Sequence, residues 1–300
     1  MLFRVTSRIV FFIVKTLLCT AFALIAFAMN SVLCRLALGA SAIDAATFST
    51  VRLLSGAFAL LLITVLSKGK ISSLRRGNWT SAALLFLYAV AFSFAYIGLS
   101  AGTGALILFG SVQATMLIAA LHSGERPHLL EWAGLLVALA GLIYLVFPGL
   151  AAPQPFRSAL MAIAGISWGF YSLRGRRRAI DPLADTTNNF VCAVPLVVII
   201  NLIMVRDTHV SAKGFLFAVL SGALASGVGY VVWYTALKGL TATRAATVQL
   251  LVPVLAAIGG VILLSEGISM RLILSAMMIL GGVGLALAGR RHLIQTKRTE

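Results

Sequence analysis

The chain has 300 residues, of which 60% are hydrophobic and 11% charged. Soluble domains carry about 25% charged residues, so no water-soluble fold can cover itself at this composition, and the sequence predicts an all-α integral membrane protein. The net charge of +16 comes from short basic clusters between apolar runs, the pattern of membrane loops and not of a nucleic-acid partner.

The first thirty residues, "MLFRVTSRIVFFIVKTLLCTAFALIAFAMN", open basic and turn apolar. A cleaved signal peptide and a first membrane helix both begin this way. The run continues past Lys15 for about 20 residues without a cleavage site, which favours the helix. A spanning helix needs roughly 20 mostly apolar residues. Such runs predict ten spans, near 16–37, 45–66, 79–98, 102–121, 129–147, 157–174, 184–205, 212–237, 243–264 and 270–289. The connecting loops are short and leave no room for a soluble domain.

Loop charge orients these spans. With the N-terminus inside, the inside segments hold 18 of the 24 basic residues, including Lys68, Lys70, Arg75, Arg76, Arg126, Lys238 and Arg244, and the cluster Arg174, Arg176, Arg177 and Arg178. The rule that inside loops are positive then puts both termini in the cytoplasm of a bacterial-type cytoplasmic membrane. Asp44 and Asp181 precede spans two and seven and suit helix N-caps.

The chain also repeats. "AYIGLSAGTGA" (95–105) lies over "ALKGLTATRAA" (236–246) at a shift of 141, which also lays Glu125 on Glu266, Gly141 on Gly282 and Phe27 on Trp168. Each half, 1–150 and 151–300, holds five spans. An odd number makes the second half enter the membrane upside down, and inverted repeats around a midplane site are a transporter signature.

Several stretches resemble the drug/metabolite transporter superfamily, specifically its EamA-type ten-helix members. They are "FAMNSVLCRLAL" and its second-half copy "SWGFYSL", "DAATFSTVR" ending in Arg52, "SGERPHLLEWAGLLVALAGLIYL", and "ATRAATVQLLVPVLAAIGGVILLSEG" with Pro253. The resemblance covers essentially the whole chain. It implies a central cavity built by both halves, with spans five and ten at the periphery, and it is nearest to bacterial exporters of aromatic and neutral amino acids. Two positions depart from the pattern. Phe27 stands where the family has tryptophan, and Val112 stands where span four would carry the partner of Pro253.

Polar groups inside hydrocarbon must face a partner or a water path. Asn30, Arg52, Thr103, Ser111, Gln113, Asn188, Asn189, Asn201 and Gln249 are therefore informative. Asn30 follows Phe27 by three and Tyr171 follows Trp168 by three, so each pair shares a helix face. Tyr88 and Tyr96 in span three, and Tyr230 and Trp233 in span eight, are further cavity candidates. The plainer readings are helix–helix contact for Asn30 and interfacial anchoring for the aromatics. Ser221, Gly222, Ala225, Ser226 and Gly229 form a small-residue strip for close helix approach. Arg52 reads as a structural tie or as a contact with substrate charge, and the first is preferred because the family motif carries it whatever the substrate. Pro253 lies about two turns into span nine and predicts a kink with no counterpart in span four.

These features predict a secondary transporter that moves small metabolites, foremost amino acids, outward by alternating access. The carboxylates avoid span centres, which favours facilitated diffusion. A proton-coupled exporter of other metabolites or drugs is the alternative, and a non-transporting scaffold or receptor is the reading from a different class. "GTGALI" follows no strand, and the chain has no HExxH or CxxC, so no enzyme motif is present. Cys19, Cys34 and Cys192 give no metal spacing, and no cofactor is expected. The partners expected are the small-molecule substrate and lipid, with the chain a monomer or weak homodimer.

Overall fold

The computed structural model describes residues 2–39, 41–68, 78–99, 101–124, 129–146, 154–178 and 181–264, with short pieces between 270 and 285. Lys70, Arg75, Arg76, Glu125, Arg126, Glu266 and the basic residues after 289 lie outside the described residues, as does the side chain of Thr103. Almost all of the described chain is helical. The helices are α1 (Leu2–Leu38), α2 (Ala45–Lys68), α3 (Trp79–Tyr96), α4 (Ala101–His122), α5 (Leu129–Val146), α6 (Pro155–Arg178) and α7 (Pro182–Ile203). Span eight runs through α8 (Ala212–Leu220), a π-helical stretch (Ser221–Val228) and α9 (Gly229–Leu237). Span nine is α10 (Ala242–Gln249) followed by α11 (Leu251–Leu264). Of span ten, residues 277–282 are described as helix. The fold is that of a ten-helix membrane protein.

Span one begins earlier than expected because neither glycine nor proline interrupts residues 2–38; its apolar part is Phe12–Leu38. Helix starts carry side-chain caps. Asp44 Oδ1 accepts from Thr47 N at 2.8 Å, and Asp181 Oδ1 from Ala184 N at 3.3 Å with Pro182 in the first turn. Asn78, Ser211 and Thr241 cap α3, α8 and α10 in the same way. The outer surface is apolar: Phe58, Leu66 and Ile262 are 70%, 77% and 72% exposed. Hydrocarbon accommodates such residues and water does not.

The principal neighbours of α1–α4 lie in the second half of the chain. Helix α1 packs on α9 and α11, α2 on α7 and the π-helical stretch, α3 on α6 and α7, and α4 on α6 and α10. Each pairing has a counterpart when the halves are exchanged: span one on span eight answers span six on span three. The glycines laid together by the 141-residue shift behave likewise. A Cβ on Gly141 would stand 3.1 Å from Ile279, and one on Gly282 would stand 3.0 Å from the Cβ of Ala138, so α5 and span ten approach closely through these two glycines.

The loops gather at two ends. At one end, the C-terminus of α6 ties three neighbours together. Arg174 donates to Asn78 Oδ1 (3.0 Å) and Ser81 Oγ (3.1 Å), Arg176 to the Leu240 carbonyl (2.9 Å), and Arg177 to Ser123 Oγ (2.6 Å). Arg244 Nε lies 3.7 Å from Glu131 at α5. At the other end the α1–α2 and α7–α8 loops form an antiparallel bridge at Ile43 and Val210. Asp44 N donates to His209 O (3.0 Å), His209 N to Asp44 Oδ2 (3.0 Å) and Ser211 N to Ala42 O (2.8 Å). Arg157 there donates to the Phe94 carbonyl at the end of α3 (3.1 Å).

Candidate functional site

Midway between these ends lies a buried aromatic cluster supplied by α1, α3, α6, α7 and α9. Trp168 is its centre. Its ring centroid stands 5.1 Å from Phe27, 5.0 Å from Tyr88, 5.6 Å from Tyr171 and 4.7 Å from Tyr230. Phe27 meets Trp233 edge-on at 5.6 Å, and Phe190 of α7 approaches Tyr230 at 5.9 Å. Such offset and edge contacts add about 0.5–1.5 kcal/mol each beyond burial. The polar tips are satisfied. Trp168 Nε1 donates to Gln249 Oε1 (2.7 Å) and Trp233 Nε1 to Ser172 Oγ (3.1 Å). Tyr234 donates to the Tyr171 carbonyl (3.1 Å), and Asn189 Nδ2 reaches the Tyr171 hydroxyl (3.4 Å).

Arg52 borders this cluster and is 1% exposed. Its Nε donates to Ser226 Oγ (3.0 Å), and its Nη2 donates to Tyr230 Oη (2.8 Å) and Tyr88 Oη (3.4 Å). The guanidinium lies 5.3 Å from the Tyr88 ring centroid and 5.5 Å from that of Phe92, within cation–π range. Among the described residues no carboxylate pairs with it, and its Nη1 is buried without a hydrogen-bond partner. The geometry of span eight delivers these partners. In the π-helical stretch the Gly229 N–H returns to Leu224 O, five residues back, and such wide turns are frequent at functional sites. The stretch also brings α2 very close: a Cβ on Gly222 would stand 2.1 Å from the Arg52 carbonyl oxygen.

The remaining candidates divide. Gln249 is fully buried; its Nε2 donates to Ala245 O (3.0 Å) and reaches Met116 Sδ (3.4 Å), so it joins α4, α6 and α10. Pro253 is buried, and the helix breaks at Leu250, next to the Gln249 carbonyl that the proline deprives of a donor. Helix α4 continues without interruption, so the break has no twin in the first half. Asn30 accepts a hydrogen bond from Ser221 and joins α1 to the π-helical stretch. Its side chain thus meets a different neighbour from Phe27. Tyr96 meets Phe92 edge-on at 4.7 Å and reaches the centre through Phe92 and Tyr88. Ser111 is half-buried where α4 crosses α6: a Cβ on Gly165 would stand 2.7 Å from its own Cβ. Gln113 Nε2 donates to Ala246 O (2.9 Å), tying α4 to α10. Ser226 and Tyr234 were not among the sequence candidates. Their spacing from Tyr230, four residues to either side, was the available signal.

A helical bundle with a lipid-facing apolar exterior and a polar, aromatic centre is the architecture of a multi-pass membrane transporter. Residues 157–288 match the EamA-like transporter family. The chain belongs to that family, in the drug/metabolite transporter superfamily. It is 48% identical to an uncharacterised protein of Pseudomonas aeruginosa, covering 92% of this chain and 96% of that one. It is 22% identical to the uncharacterised transporter YoaV of Bacillus subtilis over 79% and 85% of the two chains. It is 23% identical to a probable amino-acid metabolite efflux pump of Escherichia coli over 69% and 77%. A crystal structure covering 92% of this chain and 98% of its own superposes with a TM-score of 0.80 at 20% identity, a likeness of fold.

Proposed function

We propose that this chain moves small metabolites, foremost amino acids, out across the cytoplasmic membrane by alternating access at the Trp168–Arg52 cluster. The observation that carries the reading is the composition of that cluster. Phe27, Arg52 and Tyr88 of the first half meet Trp168, Tyr230 and Gln249 of the second, so a movement of one half against the other opens or closes this centre. The symmetric helix pairing and the reciprocal packing of Gly141 and Gly282 support two inverted repeats, 1–150 and 151–300. Polar ties join neighbouring elements at both ends, contacts that such a cycle would have to break and remake. Arginines concentrated at the α6 end support a cytoplasmic position for that end and for both termini.

The mode is facilitated diffusion. Among the described residues Asp44, Glu131, Asp181, Asp185 and Asp207 lie in loops, caps or first turns, whereas proton-coupled carriers hold an ionisable relay within the membrane. The relative described as an amino-acid metabolite efflux pump supports the substrate class. Purified protein in proteoliposomes, loaded with a panel of amino acids, tests the proposal. Protein-dependent efflux that persists when an ionophore collapses the proton gradient is the expected result. Efflux that stops with the ionophore refutes the passive mode. No flux of any panel member refutes amino-acid transport and favours a scaffold or receptor.

A further inference from the structure

We infer that Arg52 is the anion-recognition point of this site and that the transported molecule carries a carboxylate which docks on its Nη1, with an apolar body against Trp168 and Phe27. The inference rests on the transport reading above and names the chemistry that selects the cargo.

Four observations lead there. Arg52 is a nearly fully buried cation in a spanning helix, and removing a charge from water costs several kcal/mol unless it is matched. Its Nε and Nη2 are held by three hydroxyls, those of Ser226, Tyr230 and Tyr88, which fix the guanidinium plane without neutralising it. Nη1 has no partner, so its donors face an unmet demand for an acceptor. A structural tie would engage that nitrogen with a carbonyl or carboxylate, as Arg157 Nη1 does with the Phe94 carbonyl. A carboxylate is planar and matches guanidinium geometry. Tyr88 and Tyr230, which hold Arg52, pack on Trp168 at 5.0 and 4.7 Å, and Tyr230 packs on Phe27 at 5.8 Å, so aromatic surface adjoins the donor group.

The test compares ligands that differ at one group. L-phenylalanine, L-leucine and 3-phenylpropionate carry the carboxylate; L-phenylalaninamide, L-leucinamide and phenethylamine lack it. Binding to purified protein is read by tryptophan fluorescence, and flux in proteoliposomes. The acids should bind wild-type protein roughly 10- to 100-fold more tightly than the amides, as expected for loss of a charge-assisted hydrogen bond. Arg52→Gln should remove that preference, and Arg52→Lys, which keeps the charge but not the fork, should retain part of it. The wild-type comparison needs no variant, so misfolding of either variant leaves the test intact. Equal affinity for acid and amide in wild type, or an undiminished preference in a folded Arg52→Gln, overturns the inference; so does failure of every acid to bind. Arg52-dependent acid binding without flux would uphold the inference and refute transport. Flux of phenylalanine that is unchanged in Arg52→Gln would do the reverse.

Discussion

Replacing Gly222 with alanine should drive α2 and the π-helical stretch apart and disable the site without touching any candidate side chain. The new Cβ would stand 2.1 Å from the Arg52 carbonyl oxygen and 2.1 Å from Ser55 Oγ, where ordinary contact begins near 3.4 Å. The serine can rotate away, but the carbonyl belongs to backbone. The helices must therefore separate by 3.4 − 2.1 = 1.3 Å. If α2 retreats as a rigid body, the 2.8 Å contact from Arg52 Nη2 to Tyr230 stretches to about 4 Å, beyond hydrogen-bond range. Overpacking costs about 1–3 kcal/mol, and loss of a hydrogen bond to a charged group adds about 1.5–3 kcal/mol. Gly110→Ala is the control. A Cβ there meets nothing within 4 Å, and alanine favours a helix over glycine by about 1 kcal/mol. Thermal unfolding of the purified variants in detergent should place Gly222→Ala well below wild type and Gly110→Ala at or above it. Indistinguishable midpoints for the two variants would refute the close approach and the account of Arg52 built on it.

Other perturbations address the centre and the end ties separately. Tyr230→Phe removes the shortest acceptor of Arg52 and should cost about 1.5–3 kcal/mol in the same unfolding assay. Gln249→Leu strands the indole N–H of Trp168; the expected cost is about 1–3 kcal/mol, with a shift in tryptophan emission. Cysteines at Ile43 and Val210 sit at an antiparallel bridge, where Cα separations of about 4.5–5.5 Å suit a disulfide. Oxidation should stop flux and reduction restore it, and unchanged flux in the cross-linked protein would refute opening at this end. Burial pushes the Asp44 carboxyl up, but hydrogen bonds from Thr47 and from His209 N–H outweigh this and hold its pKa below 3.8. A depressed carboxylate pKa contributes stability that is complete above about pH 3.8 and lost as pH falls through the folded value. Melting temperature of the wild type should therefore fall more steeply below that pH than that of Asp44→Asn.

Span number and position were legible because twenty-residue apolar runs have one main use. The caps at Asp44 and Asp181 and the break near Pro253 were legible for the same reason: proline and short acidic side chains act locally. Other features depend on contacts between distant parts of the chain. The π-helical stretch forms where Gly222 and Gly56 let α2 approach, and no periodicity in "SGALASGV" announces an i→i+5 pattern. Asn30 and Phe27 share a helix face by spacing and both meet span eight, Asn30 at Ser221 and Phe27 at Tyr230 and Trp233, but spacing alone did not announce that Phe27 also reaches Trp168 of α6. Ser111 has the right polarity for a cavity but lies where Gly165 brings two helices into contact. The bridge between Ile43 and Val210 joins loops too short to carry a strand pattern.

Two of the three hydroxyls that hold Arg52 come late in synthesis. Ser226 and Tyr230 follow it by 174 and 178 residues, and at about 5–20 residues per second a ribosome needs roughly 10–35 s to supply them. Through that interval α2 carries a charge with only Tyr88 and Phe92 of α3 to meet it, beside first-half helices whose main neighbours are still being made. The early chain must keep this arginine near a headgroup or inside the insertion machinery until span eight arrives. Capture of Arg52 by span eight is thus a late step in biogenesis, and it adds span eight to halves already in contact through α6 and α7.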